Sequence, residues 1–152
     1  MLQKLRERMG REEGFTLVEL LVVMLILGLL AAIAIPSFFN QRDKARDADA
    51  KADARTAQTA VETYATDNNG TYTGVDAGDL DNIESSLSDA VADNELTAAP
   101  TDGGAGYTLT MNSDAGSTFT IARDGTTGQV SFSCTTQGEK GCPTGGNWGG
   151  QD

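Results

Sequence analysis

Residues 14–39 read GFTLVELLVVMLILGLLAAIAIPSFF, and this stretch decides how the chain is built. Between residues 15 and 39 the one charged side chain is that of Glu19, and the sixteen residues from Leu20 to Ile35 carry no charge. A helix over residues 15–39 would be about 37 Å long, enough to cross a hydrocarbon core of about 30 Å. The stretch therefore predicts a membrane-spanning helix.

The residues before this stretch, MLQKLRERMGREEG, carry four basic and three acidic side chains and end at Gly14. Basic residues next to a membrane span favour the cytoplasmic side. We therefore expect the N-terminus inside the cell and everything beyond residue 40 outside it.

Three interpretations compete for the apolar stretch. It fits a secretory signal peptide with Ala32, Ile33 and Ala34 as a small-residue cleavage site, and it also fits a plain uncleaved anchor. Glu19 argues against both, because a carboxylate at the centre of an apolar span costs about 2.5–3.5 kcal/mol and usually has a partner.

The start of the stretch resembles the prepilin processing and N-methylation motif of type IV pilins and type II secretion pseudopilins. The resemblance is close over residues 10–40 and concerns only the layout of the remainder. It rests on a glycine directly before an aromatic residue, a glutamate at the fifth position after the cut and a proline at the twenty-second. The residues that carry it are Gly14, Phe15, Thr16, Leu17, Val18, Glu19 and Pro36.

The resemblance implies a processing and assembly mechanism. A prepilin peptidase would cleave between Gly14 and Phe15 and then methylate the new amine of Phe15. Glu19 would pair with the Phe15 amine of a neighbouring subunit, and this pair would set the axial register of a filament. Residues 1–14 are then a leader, residues 15–39 a transmembrane and polymerisation helix, and residues 40–152 an extracytoplasmic head.

Gly28 and Pro36 are the expected sites of a break in the apolar helix. Proline removes one backbone hydrogen bond and its ring clashes with the preceding turn, so we expect a bend or a local opening between them. A kink without further role is the alternative for an isolated subunit. The family resemblance implies that this part of the helix unwinds in the filament.

The helical pattern continues past the span to about residue 67, where Asn68, Asn69 and Gly70 form a stop signal. The spacing predicts two surface ion pairs, Asp43 with Arg46 and Asp47 with Lys51. The charged run from Arg42 to Arg55 is either a solvated face or a surface that selects subunit register. A stripe made of Ala57, Ala60, Val61 and Tyr64 is suited to burial against a sheet.

The distal part predicts an α+β fold, with the long helix packed on a small antiparallel sheet, and the resemblance implies that this is the pilin fold with three to four strands. One short helix is expected, with Asp79 or Asp81 as its cap and an apolar face of Leu80, Ile83, Leu87 and Val91. A three-stranded meander follows from alternation. Its inward rows are Tyr107, Leu109 and Met111, then Phe119 and Ile121, then Val130, Phe132 and Cys134.

Cys134 and Cys142 are the two cysteines of the chain and enclose seven residues. On the outside of the membrane they favour a disulfide, with a free thiol pair as the alternative. Asp102, Asp114 and Asp124 lie in loops and offer oxygen ligands for Ca²⁺, but such residues are usual in turns, and we assign no metal site. The tail, with Trp148, is expected to be flexible.

The composition of the chain disfavours several classes of function. The chain has 11 basic and 22 acidic residues and no histidine, and only two basic residues follow residue 55. This charge disfavours direct nucleic-acid binding, and the lack of histidine removes Ser-His and Cys-His catalytic pairs. We expect no enzyme activity and no cofactor.

We expect a structural subunit of a type IV pilus or a related filament, made as a single-pass inner-membrane protein and then placed on the cell surface. Its expected partners are copies of itself, prepilin peptidase, an inner-membrane assembly platform and, before assembly, membrane lipid. The alternatives are a pseudopilin of type II secretion, a membrane-anchored adhesin or ligand-binding module, and a secreted enzyme released by ordinary signal cleavage.

Overall fold

The computed structural model describes residues 14–150, so the predicted leader lies, apart from Gly14, outside the described residues. The chain divides into two compact units, one ending at Phe39 and the other beginning at Asn40. One long helix, α1, spans Leu17–Asp67. This confirms the predicted helix over residues 15–67.

The remaining elements within residues 14–150 are two short helices, two 3₁₀ turns and four strands. In chain order they are α2 (Ala77–Ile83), a 3₁₀ turn (Ser85–Leu87), α3 (Ser88–Ala92), β1 (Leu96–Thr101), a second 3₁₀ turn (Asp102–Gly104), β2 (Gly106–Asn112), β3 (Thr118–Arg123) and β4 (Val130–Cys134). The fold class is α+β, as predicted.

The start and stop signals of α1 act through backbone hydrogen bonds. At the start, the amide of Glu19 donates to Thr16 Oγ1 at 3.2 Å, which satisfies a donor that has no partner within the helix. At the end, Gly70 adopts a φ of +80° and its amide donates to Ala65 O at 2.7 Å. The stop predicted at residues 68–70 is therefore correct.

The sheet has four strands in the order β1-β2-β3-β4, and every neighbouring pair is antiparallel. The meander of β2, β3 and β4 confirms the predicted three strands. Strand β1 was not among them, because the segment LTAAPT contains Pro100 and no aromatic residue. Proline is tolerated there because β1 is an edge strand, which has one side without a neighbouring strand.

The core of the head lies between one face of the sheet and one face of α1. The helix contributes mainly alanines, and the sheet contributes large side chains. Ala57, Ala60 and Val61 are buried as predicted, and Tyr64 is partly buried. The buried sheet residues are Leu96, Tyr107, Leu109, Met111, Phe119, Ile121 and Cys134.

The predicted single short helix is wrong in two respects. The chain is extended at Glu84, where φ is −134°, so the segment forms α2, a 3₁₀ turn and α3 in place of one helix. The cap is Asp76 and not Asp79 or Asp81: Asp76 and Asp79 each accept the other's backbone amide, which is a capping box. Leu80 and Leu87 are buried, whereas Ile83 is exposed.

Candidate functional site

The first unit presents a continuous apolar surface, which we call the assembly segment (residues 15–39). Its large apolar side chains are exposed to between 46% and 76%. Soluble proteins rarely expose an apolar patch of this extent, so the surface requires lipid or protein around it. Among the described residues, α1 is the one helix long and apolar enough to cross a membrane.

Glu19 is the single charge of this surface. It lies in the first turn of α1, where a carboxylate also complements the helix dipole, and its side chain is exposed. Thr16 and Glu19 have the spacing of a capping box, a signal that the sequence contains and that the prediction did not use. The assignment of Glu19 to subunit register stays a prediction, since it requires a second copy.

The peptide bond between Gly14 and Phe15 lies outside the helix, which begins at Leu17. Both residues are exposed, and a Cβ at Gly14 would meet nothing within 4 Å. A protease binds its substrate in an extended conformation, and this exposed, non-helical peptide bond is accessible to a protease. Farther along, α1 is continuous through Gly28 and Pro36, and the filament-dependent unwinding predicted there stays a prediction.

In the head, Asp47 is a fully buried carboxylate that joins α1 to two loops of the sheet. It accepts hydrogen bonds from Ser113 Oγ at 2.7 Å, Ser117 Oγ at 2.9 Å and the Gly141 amide at 2.9 Å. A Cβ at residue 141 would lie 2.5 Å from Asp47 Cβ, so this approach requires glycine. Sequence spacing gave no sign that this one acid of the charged run is buried.

The two predicted helix-surface ion pairs are therefore wrong. Asp47 binds the hydroxyls and amide described above, and Lys51 donates to Gly141 O. Arg46 forms its ion pair with Asp114, at 4.0 Å, and not with Asp43. In each case the sheet loops bring a partner to the helix, and a prediction from helix spacing does not include these long-range contacts.

Cys134 and Cys142 form a disulfide, as predicted. The bond closes the loop TTQGEKG, and the adjoining Gly141 is held on α1 by Asp47 and Lys51. The loop is thus closed by a covalent bond and held on α1 at Gly141 by polar contacts.

Glu62 on α1 accepts hydrogen bonds from two tyrosine hydroxyls in the core of the head. Tyr72 donates to Glu62 Oε2 at 2.7 Å and Tyr107 to Oε1 at 3.0 Å, while Arg123 lies 3.6 Å from Oε1. Burial, followed by the hydrogen bond and charge of Glu62, raises the pKa of Tyr72 to about 12. Burial and the charge of Glu62 also raise the pKa of Tyr107.

The tail is packed, so the prediction of a flexible tail is wrong for the described residues up to 150. The Trp148 ring contacts Phe119 and Phe132 edge to face, with centroids 5.7 and 5.2 Å apart, and its Nε1 donates to Ser133 O at 2.9 Å. The guanidinium of Arg55 lies 4.2 Å from the Phe132 centroid. Aromatic contacts of this kind add stability beyond the area they bury.

The three loop aspartates act in turns and in an ion pair. Asp102 accepts from the Gly125 amide, Asp124 from Thr126 and Thr127, and Asp114 contacts Arg46. Hydrogen bonds from Thr127 and Thr126 lower the pKa of Asp124. Within residues 14–150 no three acidic or cysteine side chains are grouped to hold a metal ion.

Two family models match the chain. One, described as "Prokaryotic N-terminal methylation motif", matches residues 9–35. The other, described as "Type IV minor pilin ComP, DNA uptake sequence receptor", matches residues 36–138, about two thirds of the chain. No solved structure matches the chain.

Individual relatives are pilins and secretion proteins. The chain is 40% identical over 58 residues to the type II secretion system core protein G of Pseudomonas aeruginosa. These 58 residues are 38% of this chain and 41% of the relative. It is 41% identical over 54 residues to the type IV major pilin protein PilA of Myxococcus xanthus (36% and 24%). It is 44% identical over 50 residues to the type IV narrow pilus major component PilA5 of Thermus thermophilus (33% and 43%).

The chain thus spans about two fifths of the length of the first of these relatives. The methylation motif, the exposed apolar helix and the antiparallel sheet occur together with the model that matches residues 36–138. The chain belongs to the type IV pilin family.

Proposed function

We propose that this chain is the structural subunit of a type IV pilus or a related filament. The observation that carries the proposal is the assembly segment, an exposed apolar surface with one carboxylate that starts at a prepilin-type cut site. A soluble enzyme or a simple ligand-binding module has no use for an exposed apolar surface of this kind once the protein has left the membrane.

Maturation begins at the cytoplasmic face of the inner membrane, where a prepilin peptidase cleaves after Gly14 and the amine of Phe15 is methylated. The cut lies before the first helical residue, Leu17, so cleavage leaves α1 intact. The new amine is four residues from Glu19 and carries the opposite charge.

Glu19 then gives assembly its specificity. The assembly segment moves from lipid into a filament core, and apolar burial favours neither state strongly because lipid tails are as apolar as the segment. A carboxylate in such a core is costly unless it is paired, so a subunit whose Glu19 meets a neighbour's Phe15 amine is favoured over one placed out of register. In the filament, the Phe15 amine of a neighbouring subunit supplies the partner that the Glu19 carboxylate requires.

A pseudopilin of type II secretion is the second candidate. The relatives named as type II secretion system core protein G favour it, for example that of Aeromonas hydrophila, which is 39% identical over 59 residues. Electron microscopy of sheared surface filaments, with an antibody against the head, separates the two: labelled surface filaments support a pilus, and their absence despite processing supports a pseudopilin.

The DNA receptor role in the matched family description is not part of this proposal. The head, residues 40–152, contains seven basic and 18 acidic side chains, a net charge of −11, which opposes binding to phosphates. We expect purified full-length protein in detergent to leave duplex DNA unbound at low salt. Binding that weakens as salt rises would bring the receptor role into the proposal.

N-terminal sequencing of the protein from membranes tests the proposal most directly. A mature N-terminus at Phe15, carrying a methyl group by mass spectrometry, is the expected result. A start at Ile35 would indicate an ordinary signal peptide, and retention of Met1 in a cell with an active prepilin peptidase would indicate an uncleaved anchor. Either of these two results would overturn the proposal.

A further inference from the structure

Arg55 is a cation without an acidic partner in a strongly acidic head. The ion pairs of the described residues join Arg46 to Asp114 and Arg123 to Glu62, and none includes Arg55. Its guanidinium instead lies between aromatic rings, 4.2 Å from the centroid of Phe132 and 5.1 Å from that of Trp148. Stacking of this kind fixes the guanidinium plane and leaves its edge available for a carboxylate.

Arg55 lines a groove of about 600 Å³, which we call the Arg55 groove. The groove is open to solvent, and its other polar lining includes Gln58 on α1 with Gln129 and Ser131 at β4. Amide and hydroxyl groups beside an arginine fork are suited to hold an oxyanion, because they supply further donors around the charged contact.

The head also contains an acidic segment, residues 76–95, with seven acidic residues and no basic one. Asp89 and Asp93 lie one turn apart at α3, both exposed, and neither makes an ion pair or side-chain hydrogen bond among the described residues. This segment therefore carries carboxylates that have no cation within their own head.

The two features lie at opposite edges of one sheet. Helices α2 and α3 contact β1, whereas the Arg55 groove is lined by β4, and the strand order is β1-β2-β3-β4. One copy cannot bring its own acidic segment to its own groove across four strands. A contact between unlike surfaces on opposite sides of a subunit is heterologous, and repetition of such a contact produces open helical filaments.

We propose that the Arg55 groove of one copy binds Asp89 and Asp93 of the next copy, so that heads join groove to acidic segment along the filament. The inference rests on the proposed filament function and names a head contact for it. The arrangement also lessens the repulsion between heads of net charge −11, because it places the acidic segment of one copy against a cation of its neighbour.

Charge reversal in the full chain, expressed with a prepilin peptidase and an assembly platform, tests the contact. We expect Arg55→Glu, or Asp89→Lys with Asp93→Lys, to lower the yield of sheared filaments about tenfold relative to wild type. Combining all three substitutions in one chain restores the yield. Co-expression of the two single-surface variants restores it as well, because each contact in an alternating filament then joins opposite charges.

The matched control is Lys44→Glu, which makes the same charge change on an exposed residue of α1 outside the groove. Wild-type yield is expected for it. An equal fall for Lys44→Glu, or no rescue by the combined variants, would overturn the contact, since the effect would then be one of net charge or folding.

Cross-linking gives a second readout with Arg55 intact. Ser131→Cys combined with Asp89→Cys is expected to give a ladder of disulfide-linked multimers from filaments on a non-reducing gel, whereas either single cysteine gives monomers. Normal filaments without a ladder would overturn the contact and leave the proposed function in place. Processed wild-type protein that never forms filaments of any kind would instead overturn the proposed function.

Discussion

The assembly segment and the head use the same α1 helix in opposite ways. In residues 15–39 the helix exposes large apolar side chains and carries one charge, whereas from residue 47 to residue 65 it buries a face made mostly of alanine. Among the described residues of its unit, from residue 14 to residue 39, nothing buries the first region, whereas the second region packs against the sheet of the head. Stability and assembly are therefore governed by different residues, and substitutions should separate them.

The largest expected effect is on assembly. Glu19→Ala removes the one charge of the assembly segment, and we expect filament yield to fall to near zero because subunits lose the contact that selects their register. Membrane insertion and cleavage after Gly14 continue, as followed by N-terminal sequencing. Normal filament yield from this variant would refute the role of Glu19.

Head stability provides the complementary test. Asp47→Ala removes the acceptor of three hydrogen bonds, two of them from buried serine hydroxyls, and we expect the free energy of unfolding to fall by about 3 kcal/mol. The measurement is a urea titration of the full chain in detergent. Asp49→Ala is the matched control, since Asp49 is exposed on the same helix and should change stability by less than about 0.5 kcal/mol.

The disulfide should contribute somewhat less. Cleaving the Cys134–Cys142 bond removes a covalent limit on the unfolded chain, worth about 2.6 kcal/mol for a loop of this size. Urea titration with and without reductant measures the loss, and Cys134→Ser with Cys142→Ser serves as the permanently reduced form. If this double variant keeps the oxidised stability, the contacts of Asp47 and Lys51 hold the loop without the covalent bond.

The smallest expected effect is on the free energy of unfolding at alkaline pH. The pKa of Tyr72 is raised from 10.0 to about 12 in the folded head, so its contribution is complete below pH 10 and is lost as pH rises from 10 through 12. Tyr72→Phe should therefore flatten the fall in unfolding free energy between pH 9 and 12.

Tyr64→Phe is the control for this titration. The Tyr64 hydroxyl donates to Thr73 O at 3.1 Å and not to a carboxylate, so the wild-type slope should remain. A slope equally flattened by Tyr64→Phe would show that the alkaline loss does not come from the Glu62 pair.

Local signals in the sequence were sufficient for the elements that local physics dictates. The apolar run, the alanine-rich helix, its stop at Asn68–Gly70 and the alternating strands β2, β3 and β4 all follow from period and propensity. The two cysteines were correctly paired for the same reason, since they lie close in sequence and are the only candidates for each other.

Contacts between distant residues were not predictable in this way. Asp47 looked like one more acid of a solvated helix face, and nothing near it in sequence indicates that Ser113, Ser117 and Gly141 approach it. Trp148 sits in a glycine-rich tail that has no periodicity, yet it packs on β3 and β4. Strand β1 depends on its neighbour β2 more than on its own composition.

Both edges of the sheet carry features that hinder strand addition. Pro100 in β1 has no backbone donor to offer, and at β4 the Cys134 amide donates to Gly146 O while Ser133 O accepts from Trp148. An unprotected edge would invite backbone pairing between heads crowded at filament density, which is the first step of amyloid-like aggregation. The proposed polymerisation through the helix requires that the sheet does not polymerise as well, and Pro100 together with the packed tail hinders strand addition.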